Sequence, residues 1–209
     1  MVIKMKKTSI GFAMTGSFCT FDRVLKQMEE LVSRGYEVLP VLSDHAGSLD
    51  TRFMTAEHLR ERIIEITGHE PIDTLPQAEP IGPKRLTDLY IIAPASGNSL
   101  ARLANGMFDT PALLGAKSHL RNERPLVLAV STNDGLGAAA QNIGRLLSWR
   151  NVYFVPFSQD DPVKKPRSLV ADFTQIPKTV AAALTGVQLQ PMLAANGPME
   201  GDAEKSIKH

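Results

Sequence analysis

The amino-acid sequence predicts an α/β domain of three layers, in which a doubly wound and mostly parallel sheet lies between two layers of helices. Two observations predict this class. Short apolar segments alternate along the chain with stretches of helical periodicity. The intervals between those segments are long enough for the right-handed crossovers that parallel strands require. In such a sheet, ligands bind outside the carboxyl ends of the strands, where the strand order reverses.

Five segments rich in apolar residues predict the strands. They span 8–14, 36–42, 88–93, 126–130 and 152–157. We expect Pro94 to end the third strand, because proline cannot donate to the hydrogen-bond ladder. The segment 158–168 is polar and basic, which favours a loop. The expected strand order is that of flavodoxin-like, Rossmann-like sheets.

Helical periodicity fills the intervals between the strands. It is clearest after the first strand, where apolar residues from Phe21 to Val32 recur at i, i+3, i+4 and i+7 spacing. Thr20 can cap the start of this helix, and Gly35 closes its end. Further helices are predicted at 55–67, at 98–105, from 110 onward, at 136–147 and at 178–184. Residues 71–83 contain four prolines and predict an irregular connection.

Composition limits the class of protein. One domain is expected over 1–187, and 188–209 lack an apolar period, which predicts a disordered tail. The net charge of +1 and the 6% aromatic content give no argument for binding nucleic acid or a membrane surface. Cys19 is the single cysteine, which excludes an internal disulfide framework, and we expect it to be a small buried packing residue. The sequence shows neither a signal peptide nor an apolar run of the ~20 residues that span a membrane, which predicts a cytoplasmic protein.

The turn after the first strand is a candidate anion site. Gly11 and Gly16 are spaced like the glycines of a P-loop, but Ser17 stands where the lysine would be. What remains is a Gly-Ser turn that enters a helix, whose backbone N–H groups and dipole can hold an anion. A helix entry with nothing bound explains the same residues equally well.

The later turns add polar groups at the same edge of the sheet. Ser43 follows the second strand, Asn133 follows the fourth, and the third is followed by Ser96, Asn98 and Ser99. Helix capping explains one of those last three residues, not all of them. A pocket lined by hydroxyls, amides and backbone N–H groups suits a phosphate-tethered cofactor such as FMN.

Candidates for catalysis and substrate binding are fewer. His45 is the one histidine at a predicted strand end and is the candidate catalytic residue, although an exposed loop histidine is more often solvated. Lys164, Lys165 and Arg167 form a basic loop after the fifth strand, which is either solvated or closes over an anionic substrate. The sequence contains no H-x-x-x-H or cysteine cluster for zinc and no G-x-S-x-G turn of a serine hydrolase.

These turns resemble those of the flavoprotein superfamily, which contains phosphopantothenoylcysteine decarboxylase, the peptidyl-cysteine decarboxylases and flavin prenyltransferase. The resemblance covers about 7–157 and is carried by Thr15-Gly16-Ser17, by Ser43 and Ala46, and by the segment 93–109. It implies a three-layer flavoprotein fold, an FMN-type site and an oligomer, often trimer-based. The implied cofactor contacts are Thr15, Gly16, Ser17, Ser43, Ser96, Asn98, Ser99 and Asn133.

Within the superfamily, the segments 91–99 and 131–137 resemble the B subunits of dipicolinate synthase. That resemblance implies oxidation of a dihydro- or hydroxy-tetrahydro-dipicolinate to dipicolinate. It also implies a partner, the A subunit, which is a separate nicotinamide-dinucleotide-binding chain through which NADP would enter. Expression would belong to the mother cell of a sporulating bacterium. The basic group Lys164, Lys165 and Arg167 would then face a dicarboxylate substrate.

Two departures separate the sequence from the decarboxylases. Pro80 occupies the place of their catalytic histidine, and the segment 134–137 replaces their substrate segment. An FMN-dependent decarboxylase of the phosphopantothenoylcysteine type is therefore the disfavoured alternative. A non-catalytic scaffold protein that has kept the fold and lost the cofactor is the third. The residues leave open whether flavin is bound.

Overall fold

The computed structural model describes residues 7–194 of the 209-residue chain and contains a seven-stranded sheet. The strands are β1 (Ser9–Met14), β2 (Glu37–Leu42), β3 (Leu89–Ser96), β4 (Leu126–Thr132), β5 (Val152–Phe154), β6 (Phe157–Asp161) and β7 (Lys165–Ala171). Strands β1 to β5 are parallel and run in the order β2-β1-β3-β4-β5. This order confirms the predicted doubly wound topology.

Helices form the two outer layers. They are α1 (Phe21–Ser33), α2 (Asp44–Ser48), α3 (Ala56–Thr67), α4 (Leu75–Ala78), α5 (Gly97–Ala104), α6 (Pro111–Leu120), α7 (Ala139–Leu147) and α8 (Ile176–Leu184). Short 3-10 turns lie at Phe18–Thr20, Glu79–Ile81 and Phe173–Gln175. Helix α1 packs against α3 and α8, whereas α6 packs against α4 and α5, and α5 packs against α7.

The core lies between the sheet and these helices. All six residues of β1 and the first seven of β3 are buried, as expected for parallel strands covered on both faces. Helix α1 contributes the buried side chains of Val24, Leu25, Met28 and Leu31. Its amphipathic spacing thus meets the core as the sequence predicts.

The arrangement of β1 decides where the turns meet. Strand β1 pairs with β2 on one side and with β3 on the other. The strand order therefore reverses at β1, and the turns after β1, β2, β3 and β4 lie at one edge of the sheet. This is the edge at which doubly wound sheets bind ligands.

The prediction that Pro94 ends the third strand was wrong. Strand β3 continues to Ser96, and its pairing with β4 shifts register between Ile92 and Ala95. This irregularity accommodates the missing N–H of Pro94, whose peptide bond to Ala93 is cis. The strand thereby places Ser96 at the edge of the sheet where the turns after β1, β2, β3 and β4 lie, which we call the binding edge.

The prediction of a loop at 158–168 was also wrong, because β6 and β7 form an antiparallel hairpin there. Asp161 holds the hairpin turn, since its Oδ1 accepts hydrogen bonds from the N–H groups of Lys164 at 2.9 Å and Val163 at 3.1 Å. These bonds, led by the one from Lys164, lower the pKa of the Asp161 carboxyl. The sequence conceals the hairpin because its outer residues are polar and exposed, so no alternating apolar pattern marks it.

Other differences are local. Residues 71–83 contain α4 and a 3-10 turn, and α2 forms directly after β2. Leu136 precedes α7 and is exposed. In the predicted tail, the Gln188 side chain hydrogen-bonds both the N–H and the C=O of Phe154, whereas 195–209 lie outside the described residues.

Between residues 7 and 194, no helix is long and apolar enough to cross a membrane.

A buried histidine connects α6 to the residues that precede β3 and β4. His119 is 1% exposed, and its Nε2 lies 2.9 Å from the Pro125 carbonyl oxygen. Since a carbonyl can only accept, Nε2 carries the proton, and Nδ1 accepts from the Thr87 hydroxyl at 2.9 Å. Burial lowers the pKa of His119 to about 4, so the ring is neutral at pH 7.

Protonation of His119 is predicted to destabilise the fold. The pKa in the folded chain lies below the ordinary value of 6.5, so the unfolded chain takes up the proton first. Stability that is present above pH 6.5 is therefore lost as the pH falls toward 4. We expect the free energy of unfolding, measured in urea, to fall between about pH 7 and about pH 5. The fall should be about 2 kcal/mol larger for the wild type than for H119Q.

The control for this measurement is His58→Gln, which changes an exposed histidine. It should keep the pH dependence of the wild type. Equal pH dependence of H119Q and the wild type would contradict the assignment.

Candidate functional site

A buried hydroxyl joins the ends of β1 and β3. Thr15 is 1% exposed, and its Oγ1 donates to the Pro94 carbonyl at 2.7 Å. The same oxygen accepts the Ser96 N–H at 3.2 Å. Thr15 therefore positions the turns around it and presents little surface to a ligand.

The first of two clefts at this edge, the serine cleft, encloses about 230 Å³. It is lined by Gly16, Ser43, Asp44, His45, Ser96, Asn98, Ser99, Arg102, Thr110 and Leu113. The turns after β1, β2 and β3 and the start of α6 thus contribute to one space.

Two serines in the serine cleft are helix caps. The Ser43 Oγ accepts the Ala46 N–H at the start of α2, and the Ser96 Oγ accepts the Ser99 N–H at the start of α5. The hydroxyls of Ser96 and Ser99 lie 3.0 Å apart. Capping orients these side chains and leaves each hydroxyl with further hydrogen-bonding capacity toward the cleft.

The donors of the serine cleft suit a phosphate-bearing ligand. The N–H groups of Gly97 and Asn98 belong to the first turn of α5, where no intrahelical carbonyl can accept them, and the helix dipole adds positive potential there. Arg102 brings a guanidinium to the cleft and is paired with Asp109 at 2.8 Å. Hydroxyls, an amide, N–H groups and a cation together fit a phosphate and the hydroxyls of a polyol chain.

The second cleft, the cationic cleft, encloses about 320 Å³. Its lining residues are Ser17, Cys19, Thr20, Arg23, Ser131, Thr132, Asn133, Asp160, Lys165, Ser168, Leu169 and Val170. Most of them come from the turn after β1, the end of β4 and the β6–β7 hairpin. The hairpin forms the wall of this cleft.

Two contacts hold the cationic cleft against the serine cleft. Ser17 adopts a left-handed conformation with φ 78°, and its hydroxyl donates to the Ser131 carbonyl at 2.8 Å. A Cβ at Gly97 would lie 2.6 Å from the Thr132 Oγ1, so a larger residue there would require the Thr132 side chain to move. Since Gly16 lines one cleft and Ser17 the other, the two clefts adjoin at this turn.

The structure divides the residues predicted from sequence between these two spaces. The serine cleft receives Gly16, Ser43, His45, Ser96, Asn98 and Ser99, and the cationic cleft receives Ser17, Asn133 and Lys165. Thr15 is buried and lines neither cleft. Lys164 and Arg167 are exposed and line neither cleft.

Several lining residues were not predicted from the sequence, among them Arg23, Arg102 and Asp160. Arg23 and Arg102 each lie in a helix that directly follows a candidate turn, and that position was the available indication. Asp160 could not be found, because its place depends on the hairpin. The prediction that Cys19 is a buried packing residue was wrong, since its side chain is exposed at the cationic cleft.

Comparison with known proteins identifies the class that this fold and site define. The chain belongs to the Flavoprotein family, whose model matches residues 3–182. Within that family it is similar to the B subunit of dipicolinate synthase from Bacillus subtilis (strain 168), with 48% identity over 192 residues, 92% of this chain and 96% of that protein. The resemblance found in the sequence is thereby confirmed.

Solved structures agree with this assignment. The B subunit of dipicolinate synthase from Bacillus halodurans C has a TM-score of 0.84 and 45% identity, covering 91% of this chain and 97% of that one. The FMN-dependent cysteine decarboxylase SpaF has a TM-score of 0.63 at 20% identity, covering 85% and 95%. Burkholderia xenovorans DmrB in complex with FMN has a TM-score of 0.64 at 16% identity, covering 87% and 97%. The last two show the shared fold alone.

Removing the Thr15 hydroxyl should destabilise the binding edge. Thr15→Val leaves the Pro94 carbonyl and the Ser96 N–H without their partner, which should cost about 1–3 kcal/mol in urea unfolding. Thr15→Ser keeps the hydroxyl, so its free energy of unfolding should fall markedly less than that of Thr15→Val. If the two variants were equally stable, the methyl group and not the hydroxyl would be the stabilising part.

Proposed function

We propose that this chain is the B subunit of a dipicolinate synthase and binds FMN in the serine cleft. The observation that carries the proposal is the 48% identity to the corresponding Bacillus subtilis protein over nearly the full length of both chains. The reaction would convert a dihydro- or hydroxy-tetrahydro-dipicolinate to dipicolinate. Its setting would be the mother cell of a sporulating bacterium.

The serine cleft supports the cofactor assignment. Gly16 and Ser43, which caps α2, are proposed to face the phosphate together with the first turn of α5. Ser96, Asn98 and Ser99 continue the cleft with hydroxyls and an amide for the ribityl chain or the ring. Ser17 and Asn133 line the neighbouring space, where a ring system extending past Gly16 would arrive.

The chemistry requires an acceptor for hydrogen. A dihydropyridine dicarboxylate becomes aromatic when it loses a hydride and a proton, and a flavin held in the serine cleft would supply the acceptor for the hydride. The protein's part is to hold the ring beside the cofactor and to take up a proton. Among the described residues, His45 is the one histidine that lines either cleft, so it is the candidate to hold that proton.

A partner chain completes the proposal. The Bacillus subtilis relative is one of the subunits of a synthase, which supports a separate A subunit, for which a nicotinamide dinucleotide such as NADP is the expected ligand. The chain described here would supply the flavin pocket and part of the substrate site. A homo-oligomer, trimer-based as in the resembled superfamily, is proposed for this chain itself.

Reconstitution tests the proposed function. The purified chain, mixed with the A subunit from the same organism and a dihydrodipicolinate precursor, should form dipicolinate at least about tenfold faster than the A subunit alone. Product is measured by chromatography. Equal rates with and without this chain would contradict the proposal, and full activity without bound FMN would favour the scaffold alternative.

A charge placed at Ser43 should weaken FMN binding. Ser43→Asp keeps an N-cap for α2 but adds a negative charge beside the phosphate, so the FMN affinity should fall about tenfold or more. Ser43→Asn is the matched control, because asparagine also caps helices and is neutral. Titration followed by flavin absorbance measures both. An equal loss in the two variants would show that size and not charge is responsible.

A further inference from the structure

The cationic cleft carries charges that the cofactor assignment does not use. Arg23 and Lys165 both line it, one from α1 and the other from the start of β7. Asp160 is the one carboxylate among its lining residues. Two cations against one anion leave the cleft with a net positive charge, which favours an anionic ligand.

Arg23 is positioned to receive a carboxylate. Its guanidinium carbon lies 4.9 Å from the centre of the Phe173 ring, a cation–π contact that orients the group. None of the ion pairs within residues 7–194 involves Arg23. A guanidinium can combine an aromatic contact with bidentate binding of a carboxylate, so the Arg23 N–H groups can receive one.

Lys165 forms an ion pair with Asp160 that an incoming carboxylate can replace. Its Nζ lies 2.6 Å from the Asp160 Oδ2, and the two side chains are 55% and 36% exposed. Exposed ion pairs of this kind contribute little to stability, because solvent screens the two charges. An incoming carboxylate can therefore share or replace Asp160 at low cost.

The remaining walls suit a small planar ring. Leu169 and Val170 provide aliphatic surface, while Ser131, Thr132 and Ser168 place polar groups around it. A volume of about 320 Å³ is at the small end of ligand pockets. The cleft also adjoins the serine cleft at Gly16-Ser17, so a ring bound here would lie next to the proposed cofactor.

We infer that the cationic cleft is a dicarboxylate site, in which Arg23 and Lys165 each receive one carboxylate of a planar ring. The ligand class rests on the proposed function, whereas the site rests on the two cations. Lys164 and Arg167, which line neither cleft, are outside it.

The test uses pyridine-2,6-dicarboxylate and pyridine-2-carboxylate as probes, with isothermal titration calorimetry on the full chain. The wild type should prefer the dicarboxylate. Arg23→Gln and Lys165→Gln should each weaken dicarboxylate binding about 10- to 100-fold, as expected for loss of a charged hydrogen bond. Each variant should also bind the two probes with nearly equal affinity, because only one cation remains.

Matched controls separate this site from general effects of charge. Lys26→Gln removes one cation from α1, and Lys164→Gln removes one from the hairpin, in both cases outside the cleft. Both should bind the dicarboxylate like the wild type. Arg23→Gln should bind FMN with the affinity of the wild type. An unfolded variant would lose this binding, so the FMN affinity shows that the variant is folded.

The outcomes are distinguishable from those of the proposed function. Dicarboxylate affinity equal to wild type in the Arg23→Gln/Lys165→Gln double variant overturns the inference. So does a wild-type chain that binds neither probe, alone or with its A subunit. Activity of the reconstituted complex with an unchanged KM in the double variant would sustain the proposed function and reject this site. Dicarboxylate binding that depends on Arg23 and Lys165, without synthase activity, would support this site and contradict the proposed function.

Discussion

The binding edge of this protein depends on the hydroxyl of Thr15. The ladder between β1 and β3 pairs backbone groups only as far as Ala13 and Ile92, and Pro94 has no N–H with which to continue it. Beyond this point the Thr15 hydroxyl joins the two strands, because it donates to the Pro94 carbonyl and accepts from the Ser96 N–H. A buried threonine thus fixes the distance between the turns after β1 and β3. Both clefts use the turn after β1, and the serine cleft also uses the turn after β3.

The second constraint is the length of β5. With three residues, it pairs only with the amino half of β4. The carboxyl half, at Ser131 and Thr132, is left for β7 to pair with in the antiparallel direction. The β6–β7 hairpin therefore stands beside the ligand-binding edge and converts an open side of the sheet into the wall of the cationic cleft.

Neighbours with 16% to 20% identity share this fold, which shows how little the fold alone says about chemistry. The serine cleft uses helix caps and backbone N–H groups that any such edge provides. The cationic cleft instead needs particular side chains, Arg23 and Lys165, at places that the hairpin and Phe173 determine. Differences in function within the family are therefore expected at the second cleft more than at the first.

The sequence by itself determined the class of fold and the strand order, because these follow from local periodicity, and it identified part of the serine cleft from the turns at parallel strand ends. Ser43, Ser96, Asn98 and Ser99 were identifiable since each lies next to a strong strand or helix pattern. Only the tertiary structure decided the course of β3 through Pro94 and the existence of the hairpin. It also decided which cation lines the cationic cleft, because Lys165 pairs with Asp161 at the start of β7, whereas Lys164 lies in the preceding turn.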